Sequence, residues 1–236
     1  MSLSTVVGRV AALHRYPVKS MAGEALEHAD VAWHGLAEDR RWGFLREGQA
    51  RSGFPWLTLR QRPELVLYRP RPTGRSVVVR TPSGAEFDVT DPALAAELGG
   101  RPMKLDRGAF DSAPVSLLTA QSAAAVGAAD ERRFRPNVLV DTGAGSGFAE
   151  DEWVGATVAV GEAVLRIDRE DRRCGVVSVD PDTAHRDPAV LRAIATRNDM
   201  TLGVYATVVL PGRITVGDPV ALLDLARPRA GTPVRT

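Results

Sequence analysis

The chain has 236 residues, 44% of them hydrophobic and 25% charged, with a formal net charge of +1. This balance is ordinary for a globular protein and gives no global field toward nucleic acid or an anionic membrane. One cysteine excludes an internal disulfide, a zinc finger and an iron–sulfur cluster, which need several sulfurs. No uncharged apolar run reaches the roughly 18 residues of a membrane helix. Residues 1–8 hold no basic segment leading into a long apolar stretch, so no secretory leader and a reducing, cytoplasmic location are expected.

In chain order, short strand-like runs are broken by Gly, Pro, Asp and Asn. Val6–His14 alternates in part and predicts a strand, and Leu26–Val31 and Trp42–Leu45 predict two more. Pro63–Tyr68, Ser76–Arg80 and Glu86–Val89 follow, the last two joined by a turn at Thr81-Pro82-Ser83-Gly84. Pro70–Gly74 is expected to be loop, because two prolines there cannot donate ladder hydrogen bonds. Helices are predicted at Ala93–Leu98 after Asp91-Pro92, from a cap at Thr119 through about Ala129, and from Asp187-Pro188 to about Thr196. Asn137–Asp141, Thr157–Val160, Ala163–Asp168, Gly175–Val179 and Tyr205–Leu210 predict further strands. Arg213–Val216 and Pro219–Leu223 repeat the shape of 157–168, an apolar strand, Val-Gly, a polar residue and a second apolar strand, as in repeated hairpins.

These strands are too many and too short for a doubly wound fold. The expected fold is mainly β with a few helices: a β-barrel domain with an associated smaller N-terminal β domain. The polar, turn-rich stretch near 100–112 sets the expected boundary, giving domains 1–105 and 106–225. Residues 226–236 lack apolar periodicity and are expected to form a flexible tail.

Five segments carry residues suited to chemistry. Cys174 sits in Asp171-Arg172-Arg173-Cys174-Gly175, and a thiol beside fixed positive charge is biased toward thiolate. It reads as one ligand to a metal completed by something else, as a nucleophile, or as an inert buried thiol. Lys19 and Ser20, in Tyr16-Pro17-Val18-Lys19-Ser20, suit a phosphate or another oxyanion, or form a solvated turn. In Asp39-Arg40-Arg41-Trp42, strand alternation would turn Arg40 and Arg41 to opposite faces, so that one faces a site. Thr58-Leu59-Arg60-Gln61-Arg62-Pro63 carries the same ambiguity. In Arg133-Phe134-Arg135-Pro136-Asn137, Arg135 offers bidentate donors for phosphate and Asn137 a donor and an acceptor for a heterocycle edge. That segment also reads as a simple turn into a strand. Asp180-Pro181-Asp182-Thr183 reads as a tight turn with capping carboxylates, and the four histidines show no metal-ligand spacing.

Taken together and in order, these segments resemble the MOSC family, named after the C-terminal domain of molybdenum-cofactor sulfurase. The likeness is closest to the two-part form, an N-terminal β-barrel domain plus the MOSC domain, found in mitochondrial amidoxime-reducing components and bacterial relatives. The matching pieces are Tyr-Pro-Val-Lys-Ser at 16–20, Asp-Arg-Arg-Trp at 39–42, Thr-Leu-Arg-Gln at 58–61, Arg-Phe-Arg-Pro-Asn at 133–137, Arg-Cys at 173–174 with Val-Asp-Pro-Asp-Thr at 179–183, and Val-Gly-Asp-Pro-Val at 216–220. The resemblance implies a molybdenum-dependent oxidoreductase that reduces N-hydroxylated small molecules, independent of pyridoxal phosphate. It implies the molybdenum cofactor (Mo-molybdopterin), with Cys174 as metal ligand and catalytic residue. Lys19, Ser20, Arg40, Arg135 and Asn137 would hold the pterin and its phosphate, and Arg173 would complement negative charge. Electrons would come from a separate flavin or iron–sulfur protein, since the chain has no cysteines for a fused ferredoxin-like domain. No nucleic acid or membrane partner is implied, and a monomer is expected. Val204 stands where reductase-type relatives often carry Gln in Gly-Gln-Tyr. The alternatives are a cofactor carrier without turnover and a persulfide sulfur carrier at Cys174.

Overall fold

A computed structural model describes residues 4–49, 53–128, 130–143, 145 and 147–223. The expected tail at 226–236 lies outside them. Seven strands form a closed barrel: β1 (Ser4–Arg15), β2 (Val115–Thr119), β3 (Val138–Asp141), β4 (Thr157–Val160), β5 (Ala163–Arg172), β6 (Thr201–Leu210) and β7 (Pro219–Leu223). The ring order is β3-β2-β6-β5-β4-β7-β1, closed by pairing of β1 with β3. Closure removes the unpaired edges that an open sheet of this size would carry. The N-terminal strand therefore completes a ring whose other members all lie after residue 114. β1 pairs with β7 through Ser4–Arg9 and with β3 through Arg9–Leu13. Bulges at Val6/Gly8 and Val10/Ala12 let this one strand bend between two partners.

Only β2 and β3 run parallel within the barrel. A parallel pair needs a crossover, and the intervening chain supplies one with a short helix at Ala120–Ala125 and a 3-10 turn at Glu131–Phe134. Side-chain alternation then separates two cores. Leu117, Val138, Val140, Val158, Leu165, Ile167 and Val204 fill the barrel interior. Leu118 and Leu139, one residue out of phase, pack outside it against Ala123, Phe134 and Ile194. Ile194 belongs to the helix Pro188–Asn198, which starts as expected with Asp187 accepting a bond from Ala189 N and proline in the first turn.

The N-terminal part holds a third core around Val18, Phe44, Leu65, Val79, Leu94 and Leu98. It is built from the strand pair Trp42–Arg46 with Gly100–Lys104, the helix Pro92–Leu98, and a meander of Arg69–Pro72, Val77–Arg80 and Glu86–Asp88. His28–Ala32 pairs with Gly212–Thr215, which ties this part to the end of the barrel sequence. The described residues are thus mainly strand with three α-helices, as the sequence predicts.

Several expectations are corrected. Pro63–Leu67 and Gly175–Ser178 are 3-10 helices where strands are predicted. Both are apolar runs of about five residues, a length at which periodicity cannot separate strand from helix. Arg69–Pro72 is a strand where a loop is predicted; it lies at the edge of its sheet, where a proline's missing donor costs no ladder bond. Thr119 caps its helix as expected through its bond from Ser122 N at 3.1 Å, but the helix stops at Ala125, ahead of Gly127 at φ +72°. The second expected hairpin does not form. Gly212–Thr215 pairs with His28–Ala32, and β7 pairs with β1 and β4.

Candidate functional site

β5 carries Asp171 near its end, and the chain then places Arg173 and Cys174 beside β6. Arg173 N donates to Met200 O at 2.7 Å, and the Arg173 guanidinium is strapped to Leu202 O at 2.7 Å, Phe134 O at 2.8 Å and the Asp171 carboxylate at 2.9 Å. Its Nη2 is buried without a partner among the described residues. Gly203 makes this packing possible. At φ +76°, a Cβ there would lie 2.6 Å from Leu117 O and 3.3 Å from the Arg173 guanidinium. Cys174 follows, half-buried, with its carbonyl accepting from Val177 N at 3.1 Å.

Cys174 shares a cavity of about 370 Å³ with Lys19, Ser20, Arg40, Arg135, Asn137 and Arg173. Three of these residues hold left-handed backbone: Ser20 at φ +69°, Arg40 at +50° and Arg135 at +57°. Such conformations disfavour ordinary residues and persist where the surroundings enforce them, which is common at ligand sites. Tyr16 organises this wall. Its ring lies 4.6 Å from the Arg40 guanidinium and 4.2 Å from that of Arg135, and its O–H donates to Pro136 O at 3.2 Å. Asn137 is 1% exposed, and both ends of its amide are engaged. Oδ1 accepts from Ser116 N at 3.2 Å and from Arg40 at 3.3 Å, and Nδ2 donates to His14 O at 3.2 Å.

The electrostatics favour anions. Burial pushes Lys19 down from its ordinary range, and ion pairing with Asp111 offsets part of that effect. Burial opposes ionisation of Asp111, but Lys19, then Arg40 and Arg60, hold its carboxyl below the usual range. Burial lowers Arg135 to about 10, with the Tyr16 hydroxyl acting against the shift and Arg40 with it. Burial raises Asp171 and Tyr205, and a Tyr205 hydrogen bond and Arg173 act against the rise at Asp171.

Residues 106–221 match the MOSC domain, and residues 7–114 match the MOSC N-terminal beta barrel domain. The chain belongs to the MOSC family. It is 26% identical over 294 aligned positions to mitochondrial amidoxime-reducing component 1 of Homo sapiens, covering 92% of this chain and 83% of that protein. Among solved structures it is similar to the YuaD protein of Bacillus subtilis, at 14% identity and TM-score 0.49 over 94% of this chain and 98% of that one. YiiM of Geobacillus stearothermophilus matches at 15% identity and TM-score 0.38, over 66% of this chain and 71% of that one.

The MOSC chain thus brings all seven residues singled out in its sequence to one cavity. One geometric expectation fails. Arg40 precedes the strand Trp42–Arg46, so strand alternation does not part it from Arg41. The left-handed turn does so instead: Arg40 enters the cavity, while Arg41 bonds Leu105 O at 2.7 Å and His34. Val204 packs in the barrel interior, and Tyr205 lines the cavity. Arg60, Asp111 and Tyr205 were not singled out as site residues. Arg60 lies in the Thr-Leu-Arg-Gln segment at 58–61 and donates to Cys174 Sγ at 3.4 Å. Nothing local in the sequence marks Asp111 or Tyr205, which reach the cavity only through tertiary folding.

The residues present fit an anionic, metal-bearing organic group. Buried nitrogens of Arg135 and Arg173 and the Ser116 hydroxyl have no partner among the described residues, and all three residues line the cavity. Unmet buried donors carry a free-energy cost that a bound acceptor relieves. Among the described residues no cluster of three His, Cys, Asp or Glu side chains could hold a metal ion, so a metal here would depend on ligands from outside the chain.

Proposed function

We propose that this MOSC protein holds a molybdenum cofactor through Cys174 and reduces N-hydroxylated small molecules with electrons from a separate flavin or iron–sulfur protein. One juxtaposition supports the reading: the chain's single cysteine sulfur shares a cavity with buried guanidinium N–H groups that lack partners among the described residues. Family membership and the likeness to an amidoxime-reducing component point the same way. Cys174 supplies a soft sulfur ligand. Lys19, Ser20 and Arg135 bind the pterin and its phosphate, and Arg40 adds charge from the wall beside Tyr16. Asn137 orients Arg40, because its own amide is already engaged. Arg173 presents its unpartnered Nη2 while its Nη1 is paired with Asp171. Burial and Asp171 raise Tyr205 above the ordinary phenol range, so its hydroxyl stays protonated well beyond neutral pH. When bound, the cofactor supplies the two-electron chemistry that removes the oxygen of an N–OH group.

The test compares wild type with Cys174→Ala, both made in a cofactor-producing host. Molybdenum content is measured by elemental analysis and turnover by benzamidoxime reduction with a chemical electron donor. Wild type is expected to carry stoichiometric molybdenum and to turn over. The variant should keep its circular dichroism spectrum and lose turnover. Full activity in the variant, or a wild type without molybdenum, overturns the assignment. Molybdenum without turnover makes the protein a carrier. Mass spectrometry of Cys174 after exposure to a cysteine desulfurase tests the sulfur-carrier alternative.

A further inference from the structure

We infer that Arg60 is a specificity residue that selects N-hydroxylated substrates bearing a carboxylate or similar anionic group; the substrate class rests on the reductase reading above. Arg60 Nη2 lies 3.4 Å from Cys174 Sγ. It differs from the cationic groups deeper in the cavity, because Lys19 and Arg173 are buried whereas Arg60 is exposed at the mouth. Its position is nonetheless defined. Arg60 N donates to Thr58 Oγ1 at 3.3 Å, and the carbonyls of Leu59 and Arg60 accept from Arg186 at 2.7 and 3.2 Å. The guanidinium lies 5.6 Å from the Phe54 ring centroid.

Among the described residues, Cys174 is the one hydrogen-bond partner of the Arg60 side chain. A guanidinium has five N–H donors in a planar fork, so donors remain beside the sulfur for a carboxylate to take in bidentate fashion. The nearby acid, Asp111, is committed to Lys19. The cavity lining holds eight cationic side chains against three carboxylates, in a chain whose net charge is only +1. A neutral substrate would meet this guanidinium without offering it an acceptor, whereas an anionic one gains a charge-assisted pair next to the reacting centre.

The first test needs no cofactor. Iodoacetate and iodoacetamide both alkylate a thiol, forming an S–C bond as iodide leaves, but only iodoacetate is anionic. Cys174 is the only cysteine, so mass spectrometry of the cofactor-free full chain reads its rate directly. The ratio of the iodoacetate rate to the iodoacetamide rate should fall about tenfold in Arg60→Gln, equivalent to ~1.4 kcal/mol, and recover in part in Arg60→Lys. An unchanged ratio overturns the inference. The second test uses molybdenum-loaded protein, compared per molybdenum bound. The ratio of kcat/KM for 4-carboxybenzamidoxime to that for benzamidoxime should fall about tenfold in Arg60→Gln. Equal losses on both substrates, or loss of molybdenum alone, would make Arg60 a support for the sulfur ligand and overturn its role in selection. A loaded wild type that reduces neither compound defeats the reductase reading, while the alkylation ratio still decides whether Arg60 recruits anions to the sulfur.

Discussion

Inside the barrel, Val158, Leu165 and Val204 are fully buried in one cluster of apolar side chains. In the cavity beside them, Arg135 and Arg173 each keep a buried nitrogen without a partner among the described residues. The same strands serve both regions. β6 turns Val204 inward and presents Tyr205 to the cavity, and β5 turns Ile167 inward and ends near Cys174. The interior is complete as it stands, because burial of apolar surface stabilises it without any further group. The cavity is incomplete, because desolvated donors carry a cost until an acceptor arrives. The contrast separates residues that hold the fold from residues whose cost is tolerated for binding.

The largest effect should come from the complete region. Leu165 is fully buried, so Leu165→Ala should cost about 2–5 kcal/mol through lost burial and a residual void. Equilibrium urea unfolding should show a lower midpoint. The iodoacetate-to-iodoacetamide ratio at Cys174 should not change, because Leu165 does not line the cavity. A shift in that ratio would mean that the two regions are coupled and the contrast is too simple.

A change of opposite sign should come from the incomplete region. Arg135 is held near a pKa of about 10 by burial. Replacing a poorly compensated buried charge by an apolar side chain of similar length is often stabilising. Arg135→Met should therefore raise the stability of cofactor-free protein by about 1 kcal/mol, again read from the urea midpoint. It should also reduce molybdenum retention in a cofactor-producing host. A drop in stability would show that the stacking over Tyr16, at 4.2 Å, outweighs the burial cost.

The sequence reveals the two regions unequally. Thr157–Val160 and Pro219–Leu223 are recovered to the residue, because alternation and Val-Gly turns mark their ends. The partners of the last strands are not legible: Gly212–Thr215 crosses to His28–Ala32, about 180 residues away, and no local pattern encodes such a pairing. Val115–Thr119 is missed because all five of its residues are buried, so the strand shows no alternation. At the site, the residue types are visible but their placement is not. Arg40 and Arg135 reach the cavity from left-handed turns, a conformation that their sequence does not signal as glycine would. Arg60 shows the limit most clearly. Its motif is readable, yet its contact with Cys174 joins residues 114 apart.

The smallest effect tests whether incompleteness extends behind the cavity wall. His14 lines a second, smaller cavity with Tyr16 and Arg135, and its buried Nδ1 has no partner among the described residues. Its backbone is fully tied, with N donating to Asn137 O at 2.9 Å and O accepting from Asn137 Nδ2. Burial lowers its pKa below the ordinary imidazole value; Glu131 and Asp130 act against the shift and Arg132 with it. As pH falls through the ordinary imidazole range, the unfolded chain therefore takes up this proton before the folded one does, and stability declines. The penalty is complete once pH is below the depressed folded value. Urea midpoints measured between about pH 8 and pH 5 should slope down for wild type, and the slope should be shallower for His14→Gln. Parallel slopes would mean that the imidazole titrates alike in both states, and that the ring nitrogen is as well served in the fold as in water.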